Sequence, residues 1–270
     1  FSGNAEKILC FVRKAKGMRA ELVAFPEMGL CGYPPMDLVD QGSFVEANLK
    51  TLLLIQRNSP SGIAIALGYI DRNRYQKGKA LLNAVSVLRD GRILFTQAKT
   101  LLPSYDVFDE ARYFEPARNR QVFSFGGERI GIAICEDIWW EAEPGAASAT
   151  RERYPVDPVK ELLGQGATLI LAPSASPFYS GKPRLRLKLL SRIGQSSGVP
   201  VVYVNMVGGN DSLIFDGSSM ALNARGELCA RARSFEEDLV IFDTGGYTRE
   251  IHPGPESEVE AVYQALLLGT

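Results

Sequence analysis

Ile130-Gly131-Ile132-Ala133-Ile134-Cys135-Glu136-Asp137-Ile138-Trp139-Trp140 sets a short apolar run directly ahead of a thiol and two carboxylates. Five small or branched residues suffice for a buried strand and are too few for a helix. With no polar alternation, the run reads as a strand covered on both faces. Cys135 then stands at the strand's carboxyl end, where α/β proteins carry their chemistry. A buried cysteine can equally serve as a small hydrophobe, so the rest of the chain has to decide between the two.

The 270 residues are 46% hydrophobic and 23% charged, with a formal net charge of −1. That is the balance of a globular protein with a sizeable core. It offers no general attraction to nucleic acid or to an anionic membrane, and no apolar run reaches the length of a membrane span. Cys10, Cys31, Cys135 and Cys229 lack the spacing of a disulfide framework or of a zinc site. A reducing, cytoplasmic setting without a bound metal is therefore expected. His252 is the only histidine. A cysteine–histidine pair would have to use it, so a nucleophilic Cys135 is expected to rely on a base other than imidazole.

Working outward, Ala5, Ile8, Leu9, Val12 and Ala15 recur at helical spacing, with Asn4 as the expected N-cap. Glu21 to Phe25 reads as a strand that Pro26 cannot continue, leaving Glu27 at its end. Phe44 to Gln56 reads as a helix and Ile63 to Ile70 as a strand. Leu81 to Leu88 and Arg92 to Gln97 form a hairpin about Asp90-Gly91, and the second strand delivers Lys99. Tyr105 to Arg120 reads as a long functional loop. Glu141 to Pro155 reads as an excursion from the fold.

Further on, helices are expected at 157–163 and 184–196, and strands at 168–172, 199–205, 213–222, 228–232 and 239–242. Ser257-Glu258-Val259-Glu260 is a capping-box pattern ahead of a last helix. The elements imply a mixed α/β fold, a single domain of two facing sheets with helices outside. Residues 1–255 form the main unit and 256–270 a C-terminal helix. The chain opens on Phe1 rather than methionine and is read as a fragment.

Glu27, Lys99 and Cys135 thus each sit where a strand ends. Singly they have ordinary explanations as a surface carboxylate, a solvated lysine and a core thiol. Together they suggest a cysteine nucleophile served by a carboxylate base and an ammonium group, converging at hydrogen-bonding range around the sulfur.

Phe25-Pro26-Glu27, Lys99-Thr100-Leu101-Leu102-Pro103 and Cys135-Glu136-Asp137-Ile138-Trp139, in that order, resemble the nitrilase (carbon–nitrogen hydrolase) superfamily. Within it, the chain is most similar to the glutaminase domains of glutamine-dependent NAD synthetases. That narrower likeness rests on stretches 26–35, 99–114, 173–178, 207–211 and 215–219. Asn210 stands where glutamine would be expected.

The resemblance implies a four-layer α-β-β-α sandwich lacking the family's first strand ahead of Phe1. It implies a Glu27-Lys99-Cys135 triad with Glu110 placing the lysine, and a glutamine pocket of Tyr105, Glu136, Ser176 and Lys182. It also implies ammonia release through a cysteine thioester, and homo-oligomers. No Gly-rich phosphate loop is present, so ATP and Mg²⁺ are expected only in a synthetase domain or subunit beyond Thr270. The alternatives are a free-standing amidase acting on another small carboxamide, and an inactive module kept for assembly.

Overall fold

The computed structural model describes residues 1–75, 77–140, 154–245 and 249–270. Most of the expected excursion, residues 141–153, lies outside the described residues.

Helix α1 (Ser2–Gly17) leads into β1 (Leu22–Ala24), and α2 (Gly42–Asn58) into β2 (Ala64–Arg72), β3 (Leu81–Arg89) and β4 (Arg92–Ala98). β1 runs parallel to β2, and β2, β3 and β4 are antiparallel in sequence order. The second half comprises the one-turn α3 (Glu110–Tyr113), β5 (Val122–Phe125), β6 (Glu128–Ile132), α4 (Pro158–Gly164) and β7 (Leu169–Ser174). It continues with α5 (Lys182–Ser197), β8 (Val201–Asn205), β9 (Val207–Asn210), β10 (Leu213–Asp216), β11 (Met220–Leu222), β12 (Leu228–Arg231), β13 (Glu250–Ile251) and α6 (Glu258–Leu268). A seven-stranded sheet has the order β13-β12-β11-β8-β7-β6-β5, parallel through β6, β7 and β8.

The two-residue period of β2 divides the layers. Ile65, Leu67 and Tyr69 face outward and pack under Ile8, Val12, Leu52 and Ile55 of α1 and α2. Ala64 and Ala66 face inward with Val85 and Val87, against Ile130, Ile132, Leu169 and Leu171 of the second sheet. Leu162, Leu189 and Leu190 of α4 and α5 close the far side over Ile170, Ala172, Val201 and Tyr203. The result is the expected α-β-β-α sandwich. Each such buried Val, Leu or Ile side chain contributes about 1.5–3 kcal/mol.

Several local expectations need correction. α1 begins at Ser2, so Asn4 lies inside it and its Nδ2 donates to Leu30 O instead of capping the helix. Residues 213–222 are two strands. β10 pairs back on β9, whose glycines hid it as a strand, while β11 joins the large sheet. Residues 239–242 form no strand; Ile241 N–H bonds the Glu250 carboxylate, and β13 pairs with β12 instead. Ser257 caps α6 as expected. No described helix is long and apolar enough to cross a membrane.

Candidate active site

Three chain exits from the paired sheets build the site. The first leaves β1 through Phe25-Pro26 into Glu27. A Cβ at Gly68 would lie 2.4 Å from Pro26 O and 2.5 Å from Met28 N, so the bend carrying Glu27 can settle onto β2 only over glycine. The second leaves β4 at Lys99, whose N–H bonds Asn83 O at 2.8 Å. The third leaves β6. The strand stops at Ile132, and Cys135–Ile138 closes into a 3-10 turn. Cys135 holds φ at +46°, a left-handed conformation costing a non-glycine residue roughly 1–3 kcal/mol and common at functional sites.

Glu27 and Lys99 are fully buried and paired: Lys99 Nζ donates to Glu27 Oε1 at 2.7 Å and to Glu110 Oε1 at 2.6 Å. Glu27 Oε1 also accepts from Asn83 Nδ2 at 2.6 Å, and Oε2 from the Ala175 N–H at 3.0 Å. Glu110 accepts from the Tyr33 hydroxyl at 2.7 Å and from Asn83 Nδ2 at 3.3 Å. Among the described residues this commits two of the three Lys99 N–H groups.

The expected convergence on sulfur is therefore modified. The base and the ammonium bond each other, and Cys135 Sγ makes no hydrogen bond among the described residues. Its coupling to them is electrostatic. Burial pushes the thiol well above its ordinary range, Glu27 adds to this, and Lys99 opposes it. Burial disfavours the Lys99 ammonium, but Glu110 and Glu27 outweigh burial and hold its pKa well above the ordinary lysine value.

Burial raises the Glu110 carboxyl to about 7, with Lys99 opposing and Glu27 reinforcing. An acid whose folded pKa exceeds its unfolded value takes up protons on folding, so its contribution to stability falls as pH rises. For Glu110 that window runs from its ordinary 4.5 to about 7. Glu110→Gln should flatten this part of the pH dependence of the urea midpoint. With Lys99 less firmly placed, the same change should lower turnover about 10²-fold.

Asp137 ties two of the exits together. Its Oδ1 accepts from Leu101 N at 2.7 Å and Thr100 N at 3.1 Å, just past Lys99; its Oδ2 accepts from Ile134 N at 3.0 Å, just before Cys135. Burial raises this carboxyl to about 7 against the three backbone donors. Asp137→Ala would orphan all three. At about 1–3 kcal/mol per buried donor, unfolding by urea should show a loss of about 3 kcal/mol or more. Turnover should fall about 10²-fold as Lys99 and Cys135 separate.

Of the expected pocket residues, Tyr105 and Lys182 reach side chains of the segment that follows Cys135, and Ser176 lies on the loop whose Ala175 N–H bonds Glu27. Glu136 is buried and accepts from the Tyr105 hydroxyl at 3.0 Å and the Tyr154 hydroxyl at 3.2 Å. Lys182 opens α5 and stands 4.1 Å over the Trp139 ring, directly after the Cys135–Ile138 turn. Ser176 is buried on the loop after β7, its N–H bonded to Asn205 Oδ1 at 2.9 Å. Asn210 reaches the 31–35 loop, donating to Tyr33 O at 3.1 Å.

The sequence reading missed Asn83, Tyr33, Tyr154 and Arg186, and left Asp137 without a role. Asn83 had a usable signal, being a lone amide inside the apolar run 81–88. Tyr33 sat in a Gly-Tyr-Pro-Pro loop that offered no hint that its hydroxyl turns inward.

Comparison with known proteins follows the same lines. A family model described as carbon–nitrogen hydrolase matches residues 1–252. A glutamine-dependent NAD(+) synthetase of Synechocystis sp. is 39% identical over 274 residues, covering 98% of this chain and 48% of that protein. One of Thermotoga maritima is 38% identical over 244 residues, covering 90% and 39%. The structure of glutamine-dependent NAD+ synthetase from Acinetobacter baumannii, solved with ADP, superposes with a TM-score of 0.86 at 33% identity, over 99% of this chain and 48% of that one. An amidase from Nesterenkonia sp. shares the fold at 23% identity, with a TM-score of 0.69 over 85% of this chain and 80% of that one. The chain spans about half the length, or less, of the curated relatives it matches.

Proposed function

This chain belongs to the carbon–nitrogen hydrolase family, and from that premise we propose that it hydrolyses the side-chain amide of L-glutamine through a thioester on Cys135. The observation carrying the reading is the buried ammonium of Lys99 held between Glu27 and Glu110, with the buried Cys135 thiol within electrostatic reach of all three.

A thiol raised by burial cannot supply thiolate unaided near neutral pH, so a base must act during attack. Glu27 takes the Sγ proton as sulfur adds to the amide carbon. The amide oxygen becomes an oxyanion, received by the remaining N–H of Lys99 and by the backbone N–H of Glu136. Because its pKa lies well above the ordinary value, Lys99 stays charged and supplies field rather than a proton. Collapse breaks the carbon–nitrogen bond, and Glu27 returns its proton to the departing ammonia. Water, deprotonated by Glu27, then attacks the glutamyl thioester. Glutamate leaves and the proton goes back to sulfur.

A zwitterionic substrate needs an anion for its ammonium group and a cation for its carboxylate. Glu136, steadied by Tyr105 and Tyr154, meets the first need, and Lys182, with the Ser176 hydroxyl, meets the second. In this reading residues 1–255 are the amidohydrolase unit and 256–270 lead toward a synthetase domain or subunit. That partner uses the ammonia, with ATP and Mg²⁺, to amidate nicotinate adenine dinucleotide to NAD. The chain also self-associates, which light scattering would measure.

The test is ammonia release from L-glutamine against a panel of small carboxamides. Glutamine is expected to be preferred. A better simple amide would replace this reading with a free-standing amidase using the same cysteine chemistry.

A further inference from the structure

Arg186 lies on α5, is about 1% exposed, and makes no hydrogen bond, among the described residues, to a group assigned a chemical step, although Cys135 lies within its electrostatic reach. Its Nη1 meets the Asp216 carboxylate at 2.7 Å and 2.8 Å. Its Nη2 donates to Ser176 O at 3.0 Å and Pro177 O at 3.3 Å. Asn205, at the end of β8, completes the arrangement. Its Oδ1 receives Ser176 N–H at 2.9 Å, and its Nδ2 donates to Gly217 O at 3.0 Å and reaches Asp216 Oδ1 at 3.4 Å. Residues from α5, β8 and β10 thus close on a single short loop, 174–177.

That loop touches the proposed chemistry twice. Ala175 N–H is the sole donor, among the described residues, to Oε2 of Glu27. Ser176 is one residue further on. Backbone bonds from Met206 N to Ser174 O at 3.0 Å and from Phe178 N to Ile214 O at 2.7 Å pin the flanks; between those pins, apart from the Glu27 contact itself and a Tyr203–Ser176 side-chain contact, the hydrogen bonds on the loop come from Arg186 and Asn205 among the described residues.

The pair is poorly arranged for stability. Arg186 Nε is buried without a partner, and a buried ion pair with an unsatisfied donor is typically no better than apolar side chains of the same volume. What it does supply is direction, because the planar guanidinium fixes the carboxylate and two carbonyls in one fork.

We infer that Arg186, with Asp216 and Asn205, is a positioning residue that holds the Ala175 N–H on Glu27 and so sets how readily Cys135 is deprotonated. This rests on the cysteine-hydrolase reading but not on glutamine being the substrate. It acts through the backbone of the loop and needs no contact with substrate.

The experiment follows Cys135 itself. The rate of its alkylation by iodoacetamide, located by mass spectrometry, is measured from pH 5 to 9, alongside kcat and KM for glutamine. The double substitution Arg186→Met with Asp216→Leu replaces the pair by apolar side chains and is expected to fold. Alkylation near neutral pH should slow at least tenfold, and its profile should move to higher pH. kcat should fall about 10²-fold, with a smaller rise in KM. Arg186→Lys keeps the charge opposite Asp216 but loses the fork. It should fall between the double variant and the native protein, and it decides the matter if the double variant does not fold. A folded variant whose Cys135 alkylates and turns over like the native protein overturns the inference. A native Cys135 that resists alkylation at every pH overturns the cysteine-hydrolase reading, and this inference with it.

Discussion

Cys135→Ala should give a folded protein whose ammonia release from glutamine is lower by roughly 10⁵-fold or more, the scale seen when a covalent nucleophile is removed. Two features of the site lead to this. The thiol takes part in no hydrogen bond among the described residues, so its loss orphans no polar group. The polar cluster of Glu27, Lys99, Glu110, Asn83 and Tyr33 is joined through its own contacts and takes no hydrogen bond from Cys135 among the described residues. The stability cost should therefore stay near the ordinary roughly 1 kcal/mol of a point substitution, read from the urea midpoint. Cys135→Ser should be nearly as inactive, since a hydroxyl is a far weaker nucleophile at this pH. Substantial ammonia release by the alanine variant would mean that the chemistry lies elsewhere.

Lys99→Met should show the largest combined effect. The lysine is fully buried and is the only cation bonded to either carboxylate among the described residues. Removing one partner of a buried ion pair costs roughly 3–5 kcal/mol, because the charges left behind have lost both water and counter-charge. Turnover should fall by roughly 10²–10³-fold from the lost oxyanion donor alone.

The sign of the pH response identifies the cause. Glu110, already raised to about 7 by burial, loses the charge that opposed that burial. Its protonated form is then favoured further, and folding takes up a proton over a wider window. Lys99→Met should accordingly regain stability as pH falls from 8 toward 5, and adding Glu110→Gln should recover part of the loss at pH 8. Urea denaturation across that range checks both statements. A variant as stable as the native protein at every pH would show that Lys99 does not balance the cluster.

Much of the architecture was legible because strands of this kind announce themselves. Ile130 to Ile134 and Leu169 to Ala172 are apolar without alternation, as buried parallel strands are. Glu27, Lys99 and Cys135 each came just past a strand, so a site at those ends could be anticipated from topology, but not that the carboxylate and the ammonium would bond each other rather than the sulfur. What lay beyond reach was set by contacts between distant segments. Nothing local tells that the strand stops at Ile132 and that the turn at Cys135 adopts positive φ. That geometry is held by Asp137, which reaches across to Leu101.

Arg186 sits among the cationic residues of 182–192 and carries no mark distinguishing it from its exposed neighbours; only the approach of Asp216 buries it. The strand expected at 239–242 failed for a similar reason. Its apolar residues suit a strand, but the edge beside β12 is taken by Glu250–Ile251.

The central claim is that Cys135, served by Glu27 and Lys99, forms a covalent bond with the amide carbon of glutamine. The most direct measurement is mass-spectrometric mapping of the protein after exposure to a diazo-ketone analogue of glutamine, with and without excess glutamine. One equivalent of label on Cys135, prevented by glutamine, is the predicted result. A folded protein left unlabelled at Cys135, or labelled instead at Cys10 or Cys31 with no protection by glutamine, would contradict it.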